Sequence, residues 1–188
     1  FDGNTPGSLV LTDNGYNGLQ VMAASTTVTA SADHTTIIGS DQPNIFSDGG
    51  HADVTLKGGA GDDLFVINNP DTVVQGGAGF DTLQLSGGIN LNLANVKGIE
   101  EVDLGTNGHN SLTVSLADVL NIPDATPKTM TVLGDVSDMV KLSVADGFTH
   151  VANDTQIMNG ITFDVYHAGI GSNVVNLLLQ HELTVVAA

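Results

Sequence analysis

Two nine-residue phrases eighteen residues apart constrain this chain more than any other feature: residues 58–66 read GGAGDDLFV and residues 76–84 read GGAGFDTLQ. Both fit GGxGxDxUx, where U is a large apolar residue, here Phe65 and Leu83. The glycines permit positive φ and let carbonyl oxygens crowd toward a point that a Cβ would otherwise fill. The aspartate at the sixth place, Asp63 or Asp81, adds a hard anionic oxygen at the end of that turn. The apolar residue two places later opens a short strand with its side chain turned inward. Each phrase therefore encodes an oxygen-lined turn followed by a strand.

The period extends beyond the phrases. Val10, Leu19, Val28, Ile37, Phe46, Leu56, Phe65, Val74 and Leu83 are spaced by nine, with a single step of ten between Phe46 and Leu56. Residues 13–19 and 39–46 keep an amide two places before the anchor but have lost most of the glycines, and residues 67–75 supply a strand on the opposite sheet. This pattern predicts a parallel β-roll or solenoid of short strands over about residues 10–93, two phrases per coil, with copies eighteen apart stacked on one side. Asp63 and Asp81 would then face each other across one cation. Hard oxygen ligands of this kind suit calcium. Residues 48–53 look like a further half-site one residue out of register, which makes Asp53 a second-rank ligand.

From residue 99 the period gives way to ordinary strand segments at 99–104, 111–115, 130–133, 140–142, 161–166, 174–179 and 183–186. One short helix is predicted over 116–122, capped by Ser115 and ended by Pro123, with a loop over 124–128. The expected fold class is all-β: a calcium-binding roll in residues 1–93, then a C-terminal β-rich domain, 94–188, with at most one short helix.

Four Lys and Arg against 21 Asp and Glu give a formal charge of −17, which argues against nucleic acid and anionic membranes and for cations as partners. With no cysteine, neither a disulfide framework nor a thiolate site is possible. No apolar run is long enough to span a bilayer, and Phe1, in place of an initiator Met, is read as lying inside a longer protein. His34, His51, His109, His150, His167 and His181 form no HExxH pair and no GxSxG elbow is present, so no enzyme is expected. Asp135 and Asp138, three apart in a turn, offer a further pair of cation ligands, but without the ordered spacing of a calcium loop the preferred reading is a solvated acidic turn.

The two phrases resemble the calcium-binding nonapeptide of the RTX repeat family. Residues 77–104, 110–122, 131–142 and 161–166 resemble the C-terminal region of very large bacterial adhesins exported by type I secretion. The resemblance implies calcium ligands from the carbonyls of Gly58 and Ala60 with Asp63, and from the carbonyls of Gly77 and Gly79 with Asp81, leaving Asp62 a solvated neighbour. It also implies a non-catalytic module, a monomer as a fragment. Such a module folds on calcium outside the cell or at its surface and meets the exporter during export, with the signal in residues 173–188. The alternatives are the C-terminal roll of a secreted RTX hydrolase and a ligand-binding or self-associating surface module.

Overall fold

The computed structural model describes residues 8–11, 19–20, 27–105, 108–123, 127–169, 171 and 174–187. The predicted phrase over 13–19, apart from Leu19, lies outside them, and the predicted loop over 124–128 and the start of the C-terminal run at 173 fall partly outside. Among the described residues the chain is all-β apart from short helical turns and one five-residue α-helix.

Strands one repeat length apart lie side by side, because eighteen or nineteen residues return the same alternation to the same place. In a ten-stranded sheet, β1 (Ser8–Leu11), β3 (Thr27–Ala30), β5 (Ile45–Ser47), β7 (Leu64–Ile67) and β9 (Thr82–Leu85) follow one another in parallel. A five-stranded parallel sheet takes the intervening segments: β2 (Leu19–Gln20), β4 (Thr36–Ile38), β6 (Thr55–Ala60), β8 (Val73–Ala78) and β11 (Val96–Lys97). Register follows the sequence anchors. Val28 pairs with Phe46, Phe46 with Phe65 and Phe65 with Leu83 in one sheet; Ile37 pairs with Leu56 and Leu56 with Val74 in the other. All seven side chains have no exposed surface and belong to one core cluster, in which the Phe46 and Phe65 rings stack at 5.0 Å. Each such burial contributes roughly 1.5–3 kcal/mol, an upper bound because the unfolded chain already hides some apolar surface.

The ten-residue step is absorbed at the turn after β5, where Gly49, Gly50 and Asp53 all take positive φ and the pairing on either side stays in register. At the N-terminal edge the expected row is displaced by one residue. Leu9, and not Val10, pairs with Val28, so this first coil is nineteen residues long rather than eighteen.

The ten-stranded sheet does not stop where the period fades. β12 (Glu101–Asp103) pairs in parallel with β9 and with β14 (Lys128–Leu133), so paired strands cross residue 93. What changes there is the partner sheet. β10 (Asn90–Asn92), β13 (Ser111–Val114), β15 (Met139–Leu142) and β19 (Thr184–Ala187) form a separate four-stranded parallel sheet. Between β13 and β14 lies the helix α1 (Leu116–Leu120), held by a reciprocal capping box of Ser115 and Asp118. β18 (Val175–Gln180) continues the long sheet beside β14, and β17 (Ile161–Ala168) and β16 (Thr149–Met158) close it as an antiparallel hairpin. Among the described residues no helix is long and apolar enough to cross a membrane.

Candidate cation site

Each phrase runs from a strand of the five-stranded sheet through a turn into a strand of the ten-stranded one: β6 to β7 for the first, β8 to β9 for the second. Because β7 and β9 pair Leu64 with Thr82, the two aspartates just before them stack one coil apart. They do not share hydrogen bonds as equals. The Asp63 N–H donates to Asp81 Oδ1 at 2.9 Å, and the Asn44 N–H donates to Asp63 Oδ1 at 2.7 Å. The same step recurs one coil on, where the Asp81 N–H donates to Glu100 Oε2 at 2.7 Å. At the other end the Ser40 N–H donates to the Asn44 side-chain oxygen at 3.0 Å. One corner of the stack is thus a column of side-chain oxygens, Asn44, Asp63, Asp81 and Glu100, each receiving a backbone N–H.

That bond uses one oxygen of each carboxylate. The other oxygens of Asp63 and Asp81, both Oδ2, are buried without a hydrogen-bond partner, and the residues are 2% and 0% exposed. Each faces a glycine whose missing side chain makes the space. A Cβ on Gly58 would lie 2.1 Å from Asp63 Oδ2 and 2.6 Å from the Gly76 carbonyl oxygen; one on Gly76 would lie 2.4 Å from Asp81 Oδ2 and 1.8 Å from the Gly98 carbonyl oxygen. A carboxylate oxygen and the carbonyl oxygen of the next coil therefore converge twice over. Each glycine thus brings together one anionic and one neutral oxygen, the hard ligand types that calcium takes.

The electrostatics match. Burial pushes the Asp63 carboxyl up to about 6, against the Asn44 hydrogen bond and with help from the Asp62 charge. Asp81 is pushed up to about 7, again mainly by burial; the Asp63 N–H opposes this, and the charges of Asp63, Glu100 and Asp62 add to it. Among the described residues neither carboxylate takes part in an ion pair. Each needs a proton or a cation.

The remaining predicted residues fall as follows. Gly58 lies against Asp63 Oδ2, whereas Ala60 pairs with Ala78 across the strands and donates its N–H to the Ser40 carbonyl. Gly77 and Gly79 stack on the carbonyls of Gly59 and Gly61, so the glycine beside Asp81 Oδ2 is Gly76. Asp62 is exposed and accepts the Phe80 N–H at 2.8 Å, tying the two turns together from outside. Asp53 lies away from this column and pairs with His34 at 3.1 Å on the surface. Asp138, read from sequence as solvated, is 1% exposed; its oxygens accept the Asn110 and Asp135 N–H groups at 2.9 and 3.0 Å. The histidines, read as scattered, are largely paired with aspartates: His34 with Asp53, His51 with Asp33, His167 with Asp154, and both His150 and His181 with Asp164. Gly76, Gly98 and Glu100 were missed. Gly76 was visible as the first residue of the second phrase, but Gly98 and Glu100 carry no phrase of their own.

Among the described residues no three His, Cys, Asp or Glu side chains converge on one point. The carboxylates stand in series along the stack, so a cation here would draw most of its oxygens from the backbone. Compared with family models, with curated proteins and with solved structures, the chain has no match.

Proposed function

We infer that the chain is a non-catalytic, calcium-dependent folding and secretion module from the C-terminus of a large bacterial surface adhesin exported by type I secretion. The observation that carries this reading is the pair of buried carboxylates, Asp63 and Asp81, each with one oxygen bonded to the backbone and the other left beside a glycine carbonyl. In this reading the stacked coils around the phrases are a parallel β-roll whose turns are completed by calcium. Asp63 and Asp81 supply the anionic oxygens. Carbonyls supply the neutral ones: those of Gly58, Ala60, Gly77 and Gly79 by resemblance to the repeat family, and that of Gly76 by geometry. Calcium accepts six to eight oxygens in flexible arrangements, which a backbone-rich site can provide and magnesium's strict octahedron would not use. The bound ion supplies the positive charge that these desolvated carboxylates lack.

Inside a cell, where calcium is scarce, the acidic corner repels itself and the glycine-rich turns gain too little on ordering, so the chain stays threadable. Outside, calcium binds the folded form and stabilises it by mass action. The C-terminal strands are read by the exporter while unfolded and join the sheets afterwards. Circular dichroism and thermal melting in chelator, then in calcium, test the folding half of the reading. A gain of a few kcal/mol, roughly 5–15 °C in Tm for a chain of this size, is expected. Unchanged β content and an unchanged Tm would sink it. For export, the whole chain fused to a passenger should appear in the medium of cells carrying a type I exporter, and retention of the fusion would count against that half.

A further inference from the structure

We propose that a second cation site lies one coil past the first, formed by Asp81 Oδ2, the Gly98 carbonyl and the Glu100 carboxylate, so that the column spans three coils where the motif marks two. It rests on the calcium reading above. The cradle at Gly58, with Asp63 Oδ2 and the Gly76 carbonyl oxygen at 2.1 and 2.6 Å from the empty Cβ position, recurs at Gly76, with Asp81 Oδ2 and the Gly98 carbonyl oxygen at 2.4 and 1.8 Å. Asp81 has no exposed surface, and its Oδ2 is unpartnered and aimed into this second cradle.

Glu100 stands on the rung above. Leu83 pairs with Val102, so Asp81 and Glu100 both sit two places before matched anchors. The Asp81 N–H donates to Glu100 Oε2 as the Asp63 N–H donates to Asp81 Oδ1. Glu100 is itself only 8% exposed. The coil that carries it reads Gly98-Ile99-Glu100, without the glycine run that brings an aspartate close in the phrases. Glutamate's additional methylene gives its carboxylate the reach to accept the Asp81 N–H at 2.7 Å. At the opposite end Asn44 substitutes an amide, which brings no charge, so the column holds two carboxylate-headed cradles and two cations.

Calcium titration calorimetry on the full folded chain decides the matter. The wild type should bind two ions. Glu100→Gln should lose one, or bind it at least tenfold more weakly, and keep the other, whereas Asp63→Asn should show the converse. If Glu100→Gln binds calcium as the wild type does, the proposal is overturned. It is equally overturned if the wild type binds a single ion that Asp63→Asn abolishes, while the calcium reading survives. No binding by the wild type removes both. Should Glu100→Gln fail to fold, Glu100→Asp decides instead: it keeps the charge but shortens the reach, and should weaken one site several-fold, with wild-type binding overturning the proposal.

Discussion

Asp48 and Asp81 lie at opposite turns of neighbouring coils, both with no exposed surface, and they meet the cost of burying a carboxylate in different ways. Asp48 is satisfied by the protein. Its Oδ1 accepts the N–H groups of Gly50 and Asn68, and its Oδ2 accepts those of Asn68 and Asn69 and the Thr72 hydroxyl, all at 2.9–3.0 Å. Asp81 receives one N–H on one oxygen, with nothing on the other. Asp138 follows Asp48 in having a donor on each oxygen. Burial alone therefore does not mark a cation site in this molecule. What separates Asp63 and Asp81 from these two equally buried aspartates is the count of donors: one oxygen of each is left without a hydrogen bond.

The largest way to break this comparison is to fill the cradle. Gly76→Ala would put a Cβ 1.8 Å from a backbone oxygen, so the backbone must shift, and a loss of several kcal/mol in both chelator and calcium is expected by denaturant unfolding. Asp48→Ala should come next. It strands several buried N–H groups and should cost about 3–5 kcal/mol, by the same amount with or without calcium. If its cost changed with calcium, the two corners would not be independent.

Asp81→Asn sharpens the contrast, because its sign should depend on the ion. In calcium it should destabilise by roughly 1–3 kcal/mol, whereas in chelator above pH 7 it should be neutral or stabilising, since it removes a buried charge. Thermal melts in both media check this, and equal loss in both would contradict it. The pH dependence follows from the same groups. An unfolded aspartate gives up its proton at about 3.9, whereas folded Asp63 and Asp81 hold theirs to about 6 and about 7. The folded state thus binds more protons between those values. Without calcium, the stability these groups contribute is full below about pH 4 and declines as pH rises through 6 and 7. Melting temperatures in chelator should fall from pH 5 to pH 8, and calcium should flatten that fall. The smallest effect belongs to Asp53→Asn. It breaks a surface pair with His34, both partners well exposed, and should change stability by less than about 1 kcal/mol and calcium binding not at all.

The core rows were legible in the sequence because a period of nine places Val28, Phe46, Phe65 and Leu83 on one face whatever the turns do. The extra residue before Leu56 was legible as a step but not as a turn that keeps register; that depends on Gly49, Gly50 and Asp53 taking positive φ together. β16 was missed, although its ten residues make it a long strand here. It is an edge strand with a register shift after His150 and with Ile157 73% exposed, so its sequence shows no alternation to read. Asp63 and Asp81 were legible from the phrases. That they stand in series, each against the glycine carbonyl of the next coil, was not, because spacing fixes which residues stack and not which oxygen the neighbouring coil presents. Glu100 was hidden for a related reason: its role comes from strand pairing across a coil that has no motif.

The most direct measurement of the central claim is calcium calorimetry of the whole chain at pH 6.5 and at pH 8.5, each in two buffers of different ionisation enthalpy. If the unpartnered oxygens of Asp63 and Asp81 are what calcium completes, binding at pH 6.5 should release about one proton, because the ion displaces the proton that burial holds there, and binding at pH 8.5 should release almost none. Binding with no buffer-dependent heat at pH 6.5, or no binding at either pH, would contradict the account.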